Sequence, residues 1–353
     1  MDIHGTVEIL ANWWQLVGWG GLISLVVFMQ KRYKFFSSGL AKVTGVKHRA
    51  EVFETVWRAG LRELEALEIA DAKLYSIRTS GMPRLERNEV SDLLPEELPW
   101  MKRPDLLQKS REVYPTINKS HGFAVGQDFR QPGDTSVRFV RSDFRMVLSA
   151  RSAGIKPPII SANAIIFCPM TRRVLVHLRA ATVATYANAL HFIGGNYEPS
   201  VGTERYDDSD FESPLRQAAI REIKEETGIK VSNLDKCLVV VGEETASGFV
   251  QFTYTGISVS SVTETLDPSA EGGVIWCALS ALVRFAETGS LSGRDSDSIK
   301  IVPSFALTLL IWLKLGAPDE HKRTPMRKEA LEAYAKILPH IKKRLAPYKV
   351  ISE

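Results

Sequence analysis

The 353-residue chain is 44% hydrophobic and 24% charged, a balance that excludes a disordered chain and leaves room for a sizeable core and two folded units. Its formal net charge is only +4, and Lys31, Arg32 and Lys34, which follow an apolar N-terminus, account for much of that excess. Charge therefore gives no ground for expecting a specific nucleic-acid partner.

From Ile9 to Gln30 no residue is charged, and Leu16 to Met29 is almost wholly apolar. These 22 residues, if helical, would extend about 33 Å, enough for a hydrocarbon core of roughly 30 Å. Trp13 and Trp14 at one end and Tyr33 at the other stand where interfacial aromatics belong. Lys31, Arg32 and Lys34 follow the span, whereas Asp2 and Glu8 precede it. The positive-inside rule then places the C-terminal bulk in the cytoplasm, so residues 1–36 are expected to be a single-pass membrane anchor. A cleaved signal peptide would carry its basic residues before the apolar run and a small-residue site after it.

Between Glu51 and Leu74, Phe53, Val56, Trp57, Leu61, Leu64 and Leu67 recur every three to four residues among charges, which predicts an amphipathic packing helix. Residues 78–135 are rich in proline, glycine and charge, with breaks at Met82-Pro83, Leu98-Pro99, Arg103-Pro104, Tyr114-Pro115 and Gln131-Pro132-Gly133. They read as loops joining short elements, and the whole of 37–135 carries no motif that assigns it a role.

From 136 to 290 the pattern changes to short apolar runs suited to strands: Val137–Leu148, Ile159–Phe167, Val174–Leu178, Leu238–Val241, Phe249–Val259 and Gly273–Cys277. One strongly helical stretch, Pro214–Thr227, interrupts them. Two more helices, Pro303–Leu315 and Thr324–Leu345, would make 291–353 a C-terminal helical extension packing on the domain. The run Phe305–Leu313 is too short to span a bilayer and fits a core helix. The expected fold class is α/β, a mixed sheet sandwiched by helices. Cys168, Cys237 and Cys277 are far apart and set in apolar runs, as reduced core residues would be.

The chemistry sits in the interrupting helix. With Glu222 at zero on a helical wheel, Glu226 falls near 40° and Glu225 near −60°, so three carboxylates share an arc of roughly a quarter turn. Like charges so spaced repel by a few tenths of a kcal/mol per pair unless a cation lies among them. Oxygen-rich clusters suit hard ions such as Mg²⁺ or Mn²⁺, which also bridge phosphates. Ala219, Ile220 and Ile223 form an adjacent stripe that can bury the helix, and Gly228 follows as a C-cap. An isolated Glu-rich helix would more often be a solvated face paired with Arg221, Lys224 and Lys230, but the surrounding pattern argues otherwise.

Arg221-Glu222-Ile223-Lys224-Glu225-Glu226-Thr227-Gly228-Ile229 resembles the second half of the Nudix box, Gly-x5-Glu-x7-Arg-Glu-U-x-Glu-Glu-x-Gly-U, matching every specified position of that half. Upstream, Tyr186 to Pro199, with Gly194-Gly195, is similar to the strand and double-glycine turn that open the box. Ile165–Phe167 and Val174–Arg179 resemble the paired strands before it, and Gly273–Cys277 resembles the later tryptophan-bearing strand. The resemblance runs in the right order over about 140 residues.

The resemblance implies a Nudix-type hydrolase domain over 136–290. It would cleave a diphosphate linkage in a nucleoside diphosphate joined to another moiety, so its partner would be a nucleotide-type small molecule. Glu222, Glu225 and Glu226 would hold Mg²⁺, with Mn²⁺ as a substitute. Glu222, Glu226 and Arg221 would be the catalytic group, with Arg221 pairing to a carboxylate. Gly194, Gly195 and Glu198 would lie at the substrate, and Glu198, Glu212, Glu226 and Glu271 are candidate general bases. In the family the arginine lies fourteen residues after the second glycine, whereas Arg221 lies 26 after Gly195. The insert of about twelve residues falls within Ser200–Asp210, which should bulge as a surface loop at the mouth of the site. The family's upstream glutamate falls on Ser213, next to Glu212. This departure keeps open a second reading, a Nudix-fold nucleotide-binding or regulatory module without turnover.

Overall fold

The computed structural model describes residues 69–78, 84–88, 97–113, 120–124, 136–183, 185–199, 214–231, 234–262, 272–291, 299–321 and 323–347. The N-terminal apolar run, most of the amphipathic segment after Glu51, the 200–210 insert, Glu212, Ser213 and Glu271 lie outside these residues. Among the described residues no helix is long and apolar enough to cross a membrane.

The central strand is β5 (Ile160–Cys168), buried along its entire length. Ile160, Ala162, Ala164 and Ile166 join one core with Leu215, Ala218, Ala219 and Ile223 of helix α3 (Pro214–Thr227). On the other side, Phe167 meets Trp312 of α5 (Pro303–Lys314) edge to face, with ring centroids 5.2 Å apart. A strand covered on both faces admits polar residues only where they find partners: Ser161 and Asn163 are buried on one face, with Asn163 Nδ2 donating to Gln251 Oε1 at 3.3 Å. α5 is apolar around its whole circumference, and every residue from Pro303 to Leu313 is buried.

The remaining large-sheet strands are β1 (Ala72–Arg78), β6 (Arg173–Arg179), β7 (Ala189–His191), β8 (Ile193–Asn196), β9 (Leu238–Glu244), β10 (Phe249–Ser258), β11 (Gly272–Ala278) and β12 (Lys300–Ile301). Their order is β1-β9-β10-β5-β6-β7-β12, with β11 added on β6 and β8 added on β5. Because β10 runs parallel to β5 while β6 and β8 run antiparallel to it, the sheet is mixed. Helices α3 and α5 cover its faces; α4 (Leu279–Thr288) and α6 (Arg327–Ile341) pack against each other beside α5.

A second, three-stranded sheet has the order β2 (Arg84–Asn88), β4 (Ser136–Asp143), β3 (Ser120–Ala124). It packs with α1 (Pro104–Val113) and α2 (Phe144–Ser152) around Leu106, Phe123, Val140, Met146, Val147 and Ile159. The two sheets meet just beyond β8, where Gly122 N–H donates to Tyr197 C=O at 3.1 Å and the Phe139 and Tyr197 rings lie 5.2 Å apart. A Cβ on Gly122 would come within 2.5 Å of the Tyr197 ring, so only glycine admits this contact. The small sheet thus buttresses the chain as it leaves β8.

Several sequence expectations change. Ala72–Leu74, expected to end a helix, belong to β1 and pair antiparallel with Gly242–Glu244; pairing across the sheet overrides the local helical spacing. The strand expected over Val137–Leu148 stops at Asp143, whose carboxylate accepts the amides of Arg145 and Met146 and so starts α2. The loop-rich stretch 78–135 contains β2, α1 and β3, and α4 follows β11 directly where no helix was expected.

Candidate active site

α3 spans the residues that the sequence pattern assigns to it. Its buried side fixes it to the sheet, and at its end the Gly228 amide returns to Lys224 C=O at 2.9 Å with φ of 67° at the glycine. Ile223 is fully buried at the centre of that contact, and truncating it to alanine would cost about 2–5 kcal/mol. A packed helix of this kind holds its outward carboxylates in fixed directions.

Those carboxylates meet the double glycine, which is not the turn expected from the sequence. Gly194 and Gly195 lie within β8 and pair with Asn163 and Ala162 of β5. The strand is possible because glycine tolerates what surrounds it: Gly194 has φ of 154°, and a Cβ there would sit 2.3 Å from Asn163 Oδ1. At Gly195 a Cβ would sit 2.1 Å from Glu222 Oε1. The helix carboxylate therefore lies directly against strand backbone.

Arg221 ties the two elements together. Its guanidinium donates to Glu222 Oε1 at 2.7 Å, to Glu225 Oε2 at 3.2 Å and, across the gap, to the Asn196 carbonyl at 3.0 Å. Glu226 reaches β8 by another route, its Oε2 accepting the Gly194 amide at 3.3 Å. Its Oε1 lies 3.3 Å from Nδ1 of His177 on β6.

Exposure separates the three acids. The Glu222 and Glu226 side chains are 13% and 10% exposed, whereas Glu225 is 59% exposed. Burial pushes the Glu222 carboxyl up to about 8; the Arg221 charge opposes this, and the charges of Glu226 and Glu225 reinforce it. Nearby, burial lowers His191 to about 3, helped by the Arg179 charge and by His177.

Of the residues singled out from the sequence, Arg221, Glu222, Glu226, Gly194 and Gly195 are brought together, and Glu225 joins them only through Arg221. Glu198 is half-buried two residues beyond β8. Among the described residues, no three His, Cys, Asp or Glu side chains already converge on one point as a preformed metal cage would. The donor chemistry nonetheless fits a hard divalent cation: two neighbouring, largely buried carboxylates against glycine backbone, with a third within one turn of helix. Sequence reasoning missed His177. Its only signal is a single imidazole in the apolar run Val174-Leu175-Val176-His177-Leu178.

The family model described as the NUDIX domain matches residues 157–295. This chain carries a NUDIX domain. The match takes in β5 to β11, α3 and α4, and thus the whole carboxylate and glycine arrangement. Among solved structures, the chain is similar to the MutT protein of Methanosarcina mazei Go1, with 23% identity, 35% of this chain and 80% of that one covered, and a TM-score of 0.25. It is similar to a NUDIX hydrolase from Nitrosomonas europaea, with 20% identity, coverage of 35% and 74%, and a TM-score of 0.25. A bifunctional NMN adenylyltransferase/ADP ribose pyrophosphatase from Francisella tularensis, complexed with AMP and a Mn ion, shows 15% identity, coverage of 38% of each chain and a TM-score of 0.25. No curated protein sequence matches the chain. NUDIX hydrolases as a family hydrolyse nucleoside diphosphates linked to another moiety and generally use divalent metals such as Mg²⁺.

Proposed function

We propose that the NUDIX domain is a divalent-metal-dependent hydrolase of a nucleoside diphosphate linked to another moiety. The observation that carries this reading is the seating of Glu222 and Glu226 against Gly195 and Gly194. Two acids that repel one another are held buried at strand backbone, an arrangement with no evident packing benefit. A bound Mg²⁺ or Mn²⁺ would neutralise the diphosphate and polarise the attacking water.

The chain's own residues divide the remaining work. Glu222, Glu226 and Glu225 supply oxygen ligands. Arg221 holds Glu222 and Glu225 while anchored to the Asn196 carbonyl, which fixes their rotamers. The Gly194 amide orients Glu226. Water adds to one phosphorus and the bridging P–O bond breaks, giving two phosphorylated products.

Purified chain should release mononucleotide from at least one of ADP-ribose, NADH, diadenosine polyphosphates, nucleotide sugars, coenzyme A and nucleoside triphosphates, with Mg²⁺ and not with EDTA. Binding of one of these without turnover in Mg²⁺ or Mn²⁺ would instead establish the regulatory module.

The apolar run Ile9–Gln30, followed by Lys31, Arg32 and Lys34, supports a single-pass tether with the catalytic domain on the cytoplasmic side. Full-length chain should stay in the membrane pellet through alkaline carbonate, and a chain lacking residues 1–36 should not. Retention of the shortened chain in the pellet would reject the tether.

A further inference from the structure

We infer that His177 is a positioning residue that sets the orientation of Glu226. The inference rests on the metal-dependent reading above and concerns a residue outside the box. His177 lies in β6, between Val274 of β11 and His191 of β7, and its side chain is 2% exposed. Nδ1 is 3.3 Å from Glu226 Oε1, off the direction of a formed hydrogen bond, and no other group among the described residues accepts it. A buried ring nitrogen is rarely left unpaired, and among the described residues Glu226 is the acid beside it.

The ring is fixed from its far edge as well. A Cβ on Gly272 would fall 2.6 Å from Nε2 and 2.2 Å from the Leu178 carbonyl oxygen, with the glycine at φ of 144°. Glycine at this position of β11 leaves the room that the imidazole edge occupies, and a side chain there would push the ring out of place. Since Glu226 Oε2 already accepts the Gly194 amide, a proton on Nδ1 holds the second oxygen. The carboxylate is then restrained at both oxygens, one from β8 and one from β6. Partners that orient a metal-binding side chain in this way alter metal affinity without touching the ion.

The test is Mn²⁺ binding to the full-length chain without substrate, read by electron paramagnetic resonance of the free ion, with melting temperature measured alongside. Glu226→Gln is the benchmark. His177→Leu should weaken Mn²⁺ binding by about 10- to 100-fold. His177→Gln, whose amide nitrogen falls at the Nε2 position, should do the same. His177→Asn, whose amide nitrogen falls at the Nδ1 position, should restore most of the affinity whatever its melting temperature. The inference is overturned if Asn is no better than Leu, or if Leu binds Mn²⁺ like the parent while Glu226→Gln does not. If Glu226→Gln itself binds Mn²⁺ like the parent, both the metal reading and the role of His177 fall.

Discussion

The Glu222 carboxylate occupies the space that a side chain at residue 195 would fill: a Cβ on Gly195 would lie 2.1 Å from Oε1 and 2.3 Å from Cδ of Glu222. Both backbones are held in regular structure, one in β8 and the other in α3, so it is the end of the Glu222 side chain that must give way. Gly195→Ala should therefore displace the carboxylate and leave the sheet intact. A displacement of about 1 Å at a reacting centre can cost about 10²-fold. The expected outcome is a fall of that order in kcat/KM with little change in melting temperature. Parent-like turnover would show that the close approach is incidental.

The unequal exposure of the acids predicts unequal kinetic effects. Glu226→Gln alters a 10% exposed group bonded to the strand, and should lower kcat by about 10²- to 10³-fold. Glu225→Gln alters a 59% exposed group held, among the described residues, by Arg221 alone, so its loss should be real but smaller. Amide replacement barely changes volume, and circular dichroism should be unchanged in both. If both variants turn over a substrate of the parent at the parental rate, the metal assignment is wrong.

In the small-sheet layer, Asp143 ends β4 and begins α2, accepting Arg145 N–H at 2.8 Å and Met146 N–H at 3.4 Å. Asp143→Ala removes that cap and should lower stability by about 1 kcal/mol. Asp143→Asn should recover most of it, because the amide oxygen can accept the same bonds. Urea unfolding of the three chains decides the point; an alanine variant as stable as the parent would mean that α2 needs no cap.

How much of this was legible depended on whether the signal was local. Pro214–Thr227 was readable to the residue, since helical periodicity, the apolar stripe ending at Ile223 and the Gly228 stop all lie within fifteen positions. β5 was readable as a largely apolar run, interrupted at Ser161 and Asn163. Gly194-Gly195 pointed to a turn because glycine pairs usually do; only its partner strand, some thirty residues away, makes it β8. The wheel put Glu222, Glu225 and Glu226 on one arc but could not say which edge of that arc would face the sheet, and Glu225 falls on the outer edge. His177 was unreadable for the same reason: nothing near it in sequence announces Glu226.

The last prediction concerns an acid that takes no part in the proposed chemistry. Glu244, at the end of β9, is 1% exposed and accepts hydroxyl hydrogen bonds from Ser247 and from Ser304, the latter at 2.8 Å in the first turn of α5. Burial raises its carboxyl above the ordinary value of 4.5, although bonds from Ser247, Tyr186 and Ser304 and the charge of Arg179 pull the other way. The folded chain thus keeps a proton that the unfolded chain releases once the pH passes about 4.5. Stability from this group is fully present below that pH and is lost as pH climbs towards the folded value. Glu244→Gln keeps a carbonyl acceptor for one of the two serines, leaves the other hydroxyl to accept from the amide N–H, and has nothing to ionise. Melting temperatures of parent and variant, measured from pH 4 to pH 9, should therefore diverge upward in pH, with the variant gaining on the parent. Parallel curves would mean that Glu244 enters the fold already charged, with its hydrogen bonds and Arg179 offsetting the cost of burial.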